Sequence, residues 1–153
     1  MAYRTAINKV KRFKVSSHGG AAVELAVVFP ILVLLIIGVV DYGRVFYTSI
    51  TVANAARAGA EWGAHNPFLA TDTVEMKNRA QADGQEAGTL IKSARYYCQC
   101  GGVPNGTCSV CGSGAAPEVF VEVTASKTVN MLLPYPGIPN NFSITRKATF
   151  RSQ

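Results

Sequence analysis

The sequence predicts an α+β protein: one long N-terminal transmembrane helix that extends outside the membrane, then a small head. Three observations predict it: an apolar run over residues 21–40, four cysteines within residues 98–111, and alternating strand patterns near the C-terminus. The predicted segments are a basic cytoplasmic leader at 1–19, a transmembrane helix at 20–41, a helical extension at 42–66, and an extracytoplasmic head at 67–153 that holds a helix and a disulfide-bonded antiparallel sheet.

The apolar run begins after Gly19-Gly20 and carries one charge, Glu24, near its start. About twenty residues at helical rise span about 30 Å, the thickness of the hydrocarbon core of a bilayer. The aliphatic side chains favour insertion by about 4–8 kcal/mol, whereas even a central charge costs only about 2.5–3.5 kcal/mol. Insertion is therefore favoured over burial in a soluble core. The run ends in Val40-Asp41 without a small-residue cleavage site, so a retained anchor is predicted rather than a signal peptide.

Basic residues are concentrated before the apolar run. Residues 1–19 hold five of the fifteen Lys and Arg residues, and all nine Asp and Glu residues follow them. The positive-inside rule places this segment in the cytoplasm and the C-terminus outside the cytoplasmic (inner) membrane, as a single-pass topology. Because the basicity is a tail and not a patch on a folded domain, no nucleic-acid partner is predicted.

Four cysteines, Cys98, Cys100, Cys108 and Cys111, all lie in the predicted external head. An even number of cysteines in an oxidising compartment favours two disulfides. Structural zinc bound by four thiolates is the alternative. Three pairings are open, and the nested one, Cys98–Cys111 with Cys100–Cys108, is mildly preferred.

The helical pattern continues past the membrane boundary to Asn66-Pro67, where proline disfavours further helix. Within it Ala55, Gly59 and Gly63 recur every four residues and form a stripe that lets another helix approach closely. A tolerated alanine-rich surface helix is the other interpretation. A second helix is predicted to begin at Asp72, where Asp72 and Glu75 fit a capping box, with apolar positions at helical spacing as far as Ala94.

From about Arg95 the pattern indicates strands. Alternation over 118–129 places Val119, Val121 and Val123 on one face, and residues 142–151 alternate in the same way. The intervening segment 131–139 is apolar and too rich in proline for a central strand. It either contacts a partner or folds back over the sheet, and the sequence favours neither.

Several segments carry a family resemblance. A basic leader, Gly19, a glutamate at the fifth position after it, and an apolar helix form the layout of type IV prepilins and pseudopilins. The wider stretches 20–35, 38–44 and 53–59 resemble the TadE-like family, which comprises pseudopilin-type proteins associated with assembly of the tight-adherence (Flp) pilus. The resemblance is strongest over 19–64 and looser in the Pro134 region and the C-terminal strands.

The resemblance implies a membrane partner, other pilin or pseudopilin subunits, a pilus assembly platform and a prepilin peptidase that cuts after Gly19. It further implies that Glu24 pairs with a processed N-terminal amine and sets axial register, with snorkelling of Glu24 to the headgroups as the alternative. Pro30 is predicted to kink the helix slightly, because it removes one backbone hydrogen bond.

No catalytic constellation is recognisable in the sequence, so we predict no enzyme activity and no cofactor. A protein of pilus assembly is favoured. The alternatives are an uncleaved membrane-anchored binding module and a zinc or redox protein that uses the four cysteines.

Overall fold

The computed structural model describes residues 19–105, 108, 110–134 and 137–152. The predicted basic leader lies outside these residues, apart from Gly19. The elements are α1 (Gly19–Ala64), α2 (Pro67–Ala70), α3 (Thr73–Asp83), a 3₁₀ turn (Gln85–Ala87), β1 (Ile91–Cys100), β2 (Val103–Asn105), β3 (Glu118–Asn130) and β4 (Asn141–Arg151). The α+β class, with a long apolar helix followed by a small helix and an antiparallel sheet, is therefore confirmed.

Helix α1 contains the whole apolar run, and Pro30 lies inside it. By length and composition, α1 is the one helix in the described part of the chain that qualifies as a membrane span. The chain divides into two compact units between Ile36 and Ile37. The helical extension predicted separately at 42–66 consequently belongs to the same unit as the head.

The sheet is antiparallel throughout, with strand order β2-β1-β3-β4. The long strand β3 is central, and its side chains alternate between two faces as predicted. Val121 and Val123 are fully buried on the face towards the helices, whereas Phe120 lies on the outer face opposite Tyr97 of β1. On β4, Ala148 pairs with Val123 and joins the same core.

The core of the head lies between the second half of α1, helix α3 and the inner face of the sheet. Most of its residues are small, which allows the backbones to approach closely. The fully or nearly fully buried members from the helices are Val52, Ala55, Ala56, Ala60, Ala70, Met76 and Ala80. Met76 is the largest of the core side chains that are less than 2% exposed.

Asn66 and Asp72 are the N-cap residues of helices α2 and α3, and the side chain of each accepts a hydrogen bond from a backbone amide of its helix. The Asn66 carboxamide oxygen accepts from the Leu69 amide at 2.9 Å, and the Asp72 carboxylate accepts from the Glu75 amide at the same distance. These caps satisfy backbone donors that a helix leaves free at its N-terminus. The cap by Asp72 is confirmed, but the predicted capping box is incomplete. The Glu75 carboxylate accepts from Asn78 and Arg79, and the Asp72 amide donates to the Leu69 carbonyl instead.

The predicted extent of the second helix is wrong. Helix α3 ends at Asp83, and Ala94 lies in β1, which begins at Ile91 and not near Arg95. Gly84 stops the helix, and Gly88 has a φ of 77°, a conformation that favours glycine. Leu90 still reaches the core, but from a loop.

The four cysteines form two disulfides as predicted, but the preferred nested pairing is wrong. Cys98 pairs with Cys108, and Cys100 pairs with Cys111. The tight turn at Gly101-Gly102 already places Val103 opposite Cys100 in the β1–β2 hairpin. In the same hairpin Cys98 lies opposite Asn105, three positions before its disulfide partner Cys108.

Candidate functional site

The first unit of the chain carries three of the residues singled out in the sequence. Gly19 is the first residue of α1, and Glu24 and Pro30 follow within the helix, both exposed. Among the described residues, no basic side chain forms an ion pair with Glu24. The large aliphatic residues around it are exposed as well, with Leu25 at 65% and Val28 at 56%. This surface has the character expected of a helix that is surrounded by lipid or by other helices.

The small-residue stripe lies on the head half of α1 and is buried. A Cβ atom built on Gly59 would lie 2.6 Å from the carbonyl oxygen of Met76 and 3.1 Å from the Cβ of Ala80. At Gly63 it would meet the flexible thioether of Met76, and Ala55 is fully buried. The helix that approaches this stripe is therefore α3 of the same chain, with Val123 of the sheet behind it.

Polar contacts also join α1 to the head. The Arg146 guanidinium donates to the Ser49 hydroxyl at 2.6 Å, and the Tyr47 hydroxyl donates to the Glu86 carboxylate. The bond to Glu86 raises the pKa of Tyr47. Both contacts are exposed and join this half of the helix to the head outside the apolar core.

Asp41 makes a buried contact that the sequence did not reveal. Asp41 follows the last residue of the apolar run, Val40, and this position indicates an exposed residue at the membrane boundary. In the structure, however, Asp41 is only 2% exposed. Both carboxylate oxygens accept from the Leu132 amide, at 3.0 and 3.1 Å, and Arg44 lies 3.5 Å away. The partner is ninety-one positions distant in sequence. The one available signal was an acid directly after the apolar run.

The apolar segment after β3 lies against α1 at this level. The Met131 amide donates to the Asn140 carbonyl at 2.8 Å and closes the base of the segment. An apolar cavity of about 320 Å³ lies between part of this segment and the helix. The cavity is lined by Gly38, Asp41, Tyr42, Val45, Met131, Ile138 and Phe142. The described part of this segment thus meets the helix at the end of the apolar run.

The outer face of the sheet is polar and aromatic. Glu122 is buried beneath Arg95 and Lys147, whose nitrogens lie 2.7 and 3.0 Å from its oxygens. The hydrogen bond from Arg95 lowers the pKa of Glu122, and burial opposes this effect only in part. Tyr97 and Phe120 stack beside this cluster with ring centroids 5.5 Å apart.

Residues 19–61 match the family model described as TadE-like protein. This segment is TadE-like. The resemblance predicted from the sequence is thereby confirmed over these residues. No curated protein and no solved structure matches the chain.

The TadE-like segment begins at Gly19, includes Glu24 and Pro30, and ends within the buried stripe after Ala55 and Gly59. The match covers 43 of the 153 residues and includes the whole apolar run. It also agrees with membrane anchoring by the apolar helix. The sheet and the cysteine-rich hairpin lie outside the matched residues.

The structure bears directly on the zinc alternative. All four cysteine sulfurs are used in disulfides, and a disulfide sulfur is not a thiolate ligand. Within the described ranges, no group of three or more His, Cys, Asp or Glu residues is placed to hold a metal ion. The cysteines therefore act as cross-links of a small head.

Proposed function

We propose that this protein is a TadE-type pseudopilin or minor pilin that acts in assembly of a Flp-type (tight-adherence) pilus or a related secretion apparatus. The observation that carries the proposal is the extent of the TadE-like match, which begins at Gly19, crosses the apolar run and enters the buried stripe. The match thus joins a processing and anchoring segment to the helix that holds the head.

In the proposed topology the chain crosses the inner membrane once, with its N-terminus in the cytoplasm and its head outside. Two disulfides in the head are consistent with an oxidising compartment. A prepilin peptidase would cut after Gly19 and release a new amino terminus at Gly20. The subunit would then pass from the bilayer to other pilin subunits or to the assembly platform.

Glu24 has the central role in this mechanism. A carboxylate within an apolar helix is costly in lipid unless a cation pairs with it. Glu24 is exposed, and no described basic residue of the chain is paired with it. The amine of a processed Gly20, in the same subunit or in a neighbour, is the cation that the proposal supplies. The pair would set the axial register of one subunit against the next.

The mature N-terminus tests the processing step. Intact mass or N-terminal sequencing of the protein extracted from membranes should show a chain that starts at Gly20. A chain that still starts at Met1 would contradict processing and would favour the uncleaved membrane-anchored binding module.

Substitution of Glu24 tests the register step. Glu24→Ala should leave membrane insertion intact and abolish incorporation into pilus complexes, measured by co-purification with pilus components. Glu61→Ala is the matched control, because Glu61 is an exposed glutamate on the head half of the same helix. Normal assembly of the Glu24→Ala protein would refute the register role.

A further inference from the structure

We propose that Leu132, Leu133 and Ile138, here called the apolar triad, form a second membrane contact in the headgroup region of the bilayer that α1 spans. The inference takes membrane anchoring by α1 from the proposed function. It goes further, because it assigns the head its own contact with the lipid surface. It rests on where Leu132 is held, how exposed the triad is and the lack of charged residues in its own sequence segment, 128–145.

The position of Leu132 is held by Asp41, and Ile138 lines the same cavity as Asp41. The Leu132 amide donates to both Asp41 oxygens, and Asp41 directly follows the end of the apolar run. A span of this length places its terminal residues at the boundary between hydrocarbon and headgroups. Leu132 is therefore held at the level where the chain leaves the hydrocarbon core. Both residues belong to the same compact unit, Ile37–Gln153.

All three side chains of the triad are substantially exposed. Leu132 is 55% exposed, Leu133 37% and Ile138 48%. On the neighbouring helix surface Tyr42 is 71% exposed and Phe46 58%, and aromatic residues are enriched at membrane interfaces. Tyr42 and Ile138 line the same apolar cavity beside Asp41, and Phe46 stacks on Tyr42. Contiguous exposed apolar surface of this kind marks an interaction site.

The sequence around the triad suits lipid. No charged residue occurs between Lys127 and Arg146, so insertion of the triad itself buries no charge. The cavity between this segment and α1 is lined almost entirely by apolar atoms and lies at the same level as Asp41. The surface is continuous with the end of the apolar span, and this continuity favours the bilayer over a protein partner as the occupant.

Depth-dependent fluorescence quenching tests the inference on the full chain in phosphatidylcholine–phosphatidylglycerol vesicles. Trp62 is the single tryptophan, so a Trp62→Phe background is dark. In this background Leu132→Trp reports on the triad. Val110→Trp is the matched control, because Val110 is also exposed, at 68%, but belongs to the cysteine-rich hairpin. Lipids brominated near the top of the acyl chain should quench the Leu132→Trp protein severalfold more strongly than the Val110→Trp protein.

A third probe separates this inference from the proposed function. Val28→Trp places the fluorophore within the apolar run, where lipids brominated deep in the acyl chain should quench it. Suppose that the Val28→Trp protein shows deep quenching, whereas the Leu132→Trp and Val110→Trp proteins are quenched equally and weakly. This result would overturn the lipid contact but leave the anchoring intact, and would assign the triad to a protein partner. Absence of deep quenching in the Val28→Trp protein would overturn the anchoring, and the inference with it.

Discussion

The two halves of α1 have the same secondary structure but differ in the size and the burial of their side chains. In residues 21–40 the side chains are mostly large and aliphatic, and Val28 and Leu35 are more than half exposed. In residues 51–63 the inward side chains are small, and Val52, Ala55 and Ala60 are completely buried. The first half has large side chains that face its surroundings, whereas the second half has small side chains that allow the head to pack closely against it.

The difference follows from what covers each half. Lipid chains adapt to any apolar shape, so an anchor needs hydrophobicity rather than a fitted surface. A head of about 85 residues buries only a modest core, so it gains most from close contact between backbones. Gly59 and Ala55 permit that contact, and the two disulfides add stability that the small core lacks. The contrast can be tested by placing the same substitution in each half.

The largest effect is expected for Gly59→Val. Its Cβ would lie 2.6 Å from the Met76 carbonyl oxygen, so helix α1 or α3 must move. Overpacking of this kind costs about 3 kcal/mol. The free energy of unfolding of the detergent-solubilised protein, followed by near-UV circular dichroism, should fall by this amount.

Gly43→Val is the control for Gly59→Val. It lies in the same helix, and a Cβ there meets nothing within 4 Å. Its unfolding free energy should stay close to that of the unmodified protein. An equal loss in both variants would mean that the cost comes from valine in the helix and not from close packing.

A matched valine pair should give the next largest effect. Val52→Ala removes two methyl groups from a fully buried site, which costs about 2 kcal/mol, whereas Val28→Ala changes an exposed site and should leave head stability unchanged. Denaturant unfolding of both variants measures the difference. If Val28→Ala destabilised the head as much as Val52→Ala, the two halves would not be independent.

Asp41→Ala should have a smaller effect. It leaves the Leu132 amide without its carboxylate partner, but Leu132 is half exposed and water can replace part of the bond, so a cost of about 1 kcal/mol is expected. Amide hydrogen exchange at Leu132 should accelerate in this variant. Asp41→Asn keeps one acceptor oxygen and should accelerate it less. Unchanged exchange in Asp41→Ala would contradict the contact.

The smallest effect concerns pH and the sheet that covers the second half of α1. Because Arg95 lowers the pKa of Glu122 in the folded head, the pair stabilises the fold fully above the ordinary carboxyl pKa of about 4.3. This contribution is lost as the pH falls further, through the lower folded value. Glu122→Gln should reduce the loss of melting temperature on acidification below about pH 4. An identical pH profile would show that other carboxyl groups dominate.

The sequence was sufficient wherever the determinants of structure are local. Composition predicted the apolar helix, Asn66-Pro67 predicted its end near Ala64, and Asp72 predicted the start of α3. Alternation predicted the faces of β3. Each of these depends on residues within a few positions of one another.

The errors arose where distant residues or turn geometry decide. The Asp41–Leu132 contact joins residues that no periodicity relates, and helical spacing alone did not show that Gly84 ends α3. The disulfide pairing goes with a hairpin register, Cys98 opposite Asn105, that cysteine spacing alone does not specify. The short strand β2 was not predicted for the same reason. Cleavage after Gly19 and the register role of Glu24 stay predictions.

The fit of Gly59 against Met76 has a mechanical consequence. With no room for even one added carbon, the segment from Ile37 to Ala64 can neither slide nor turn within the head without separating the packed surfaces. A pulling force applied at Ile37 would load the contacts of Val52, Ala55 and Ala60 together, in shear, rather than peel them one after another. If the helix were pulled from the bilayer, the head would therefore move together with the segment from Ile37 to Ala64 as one body.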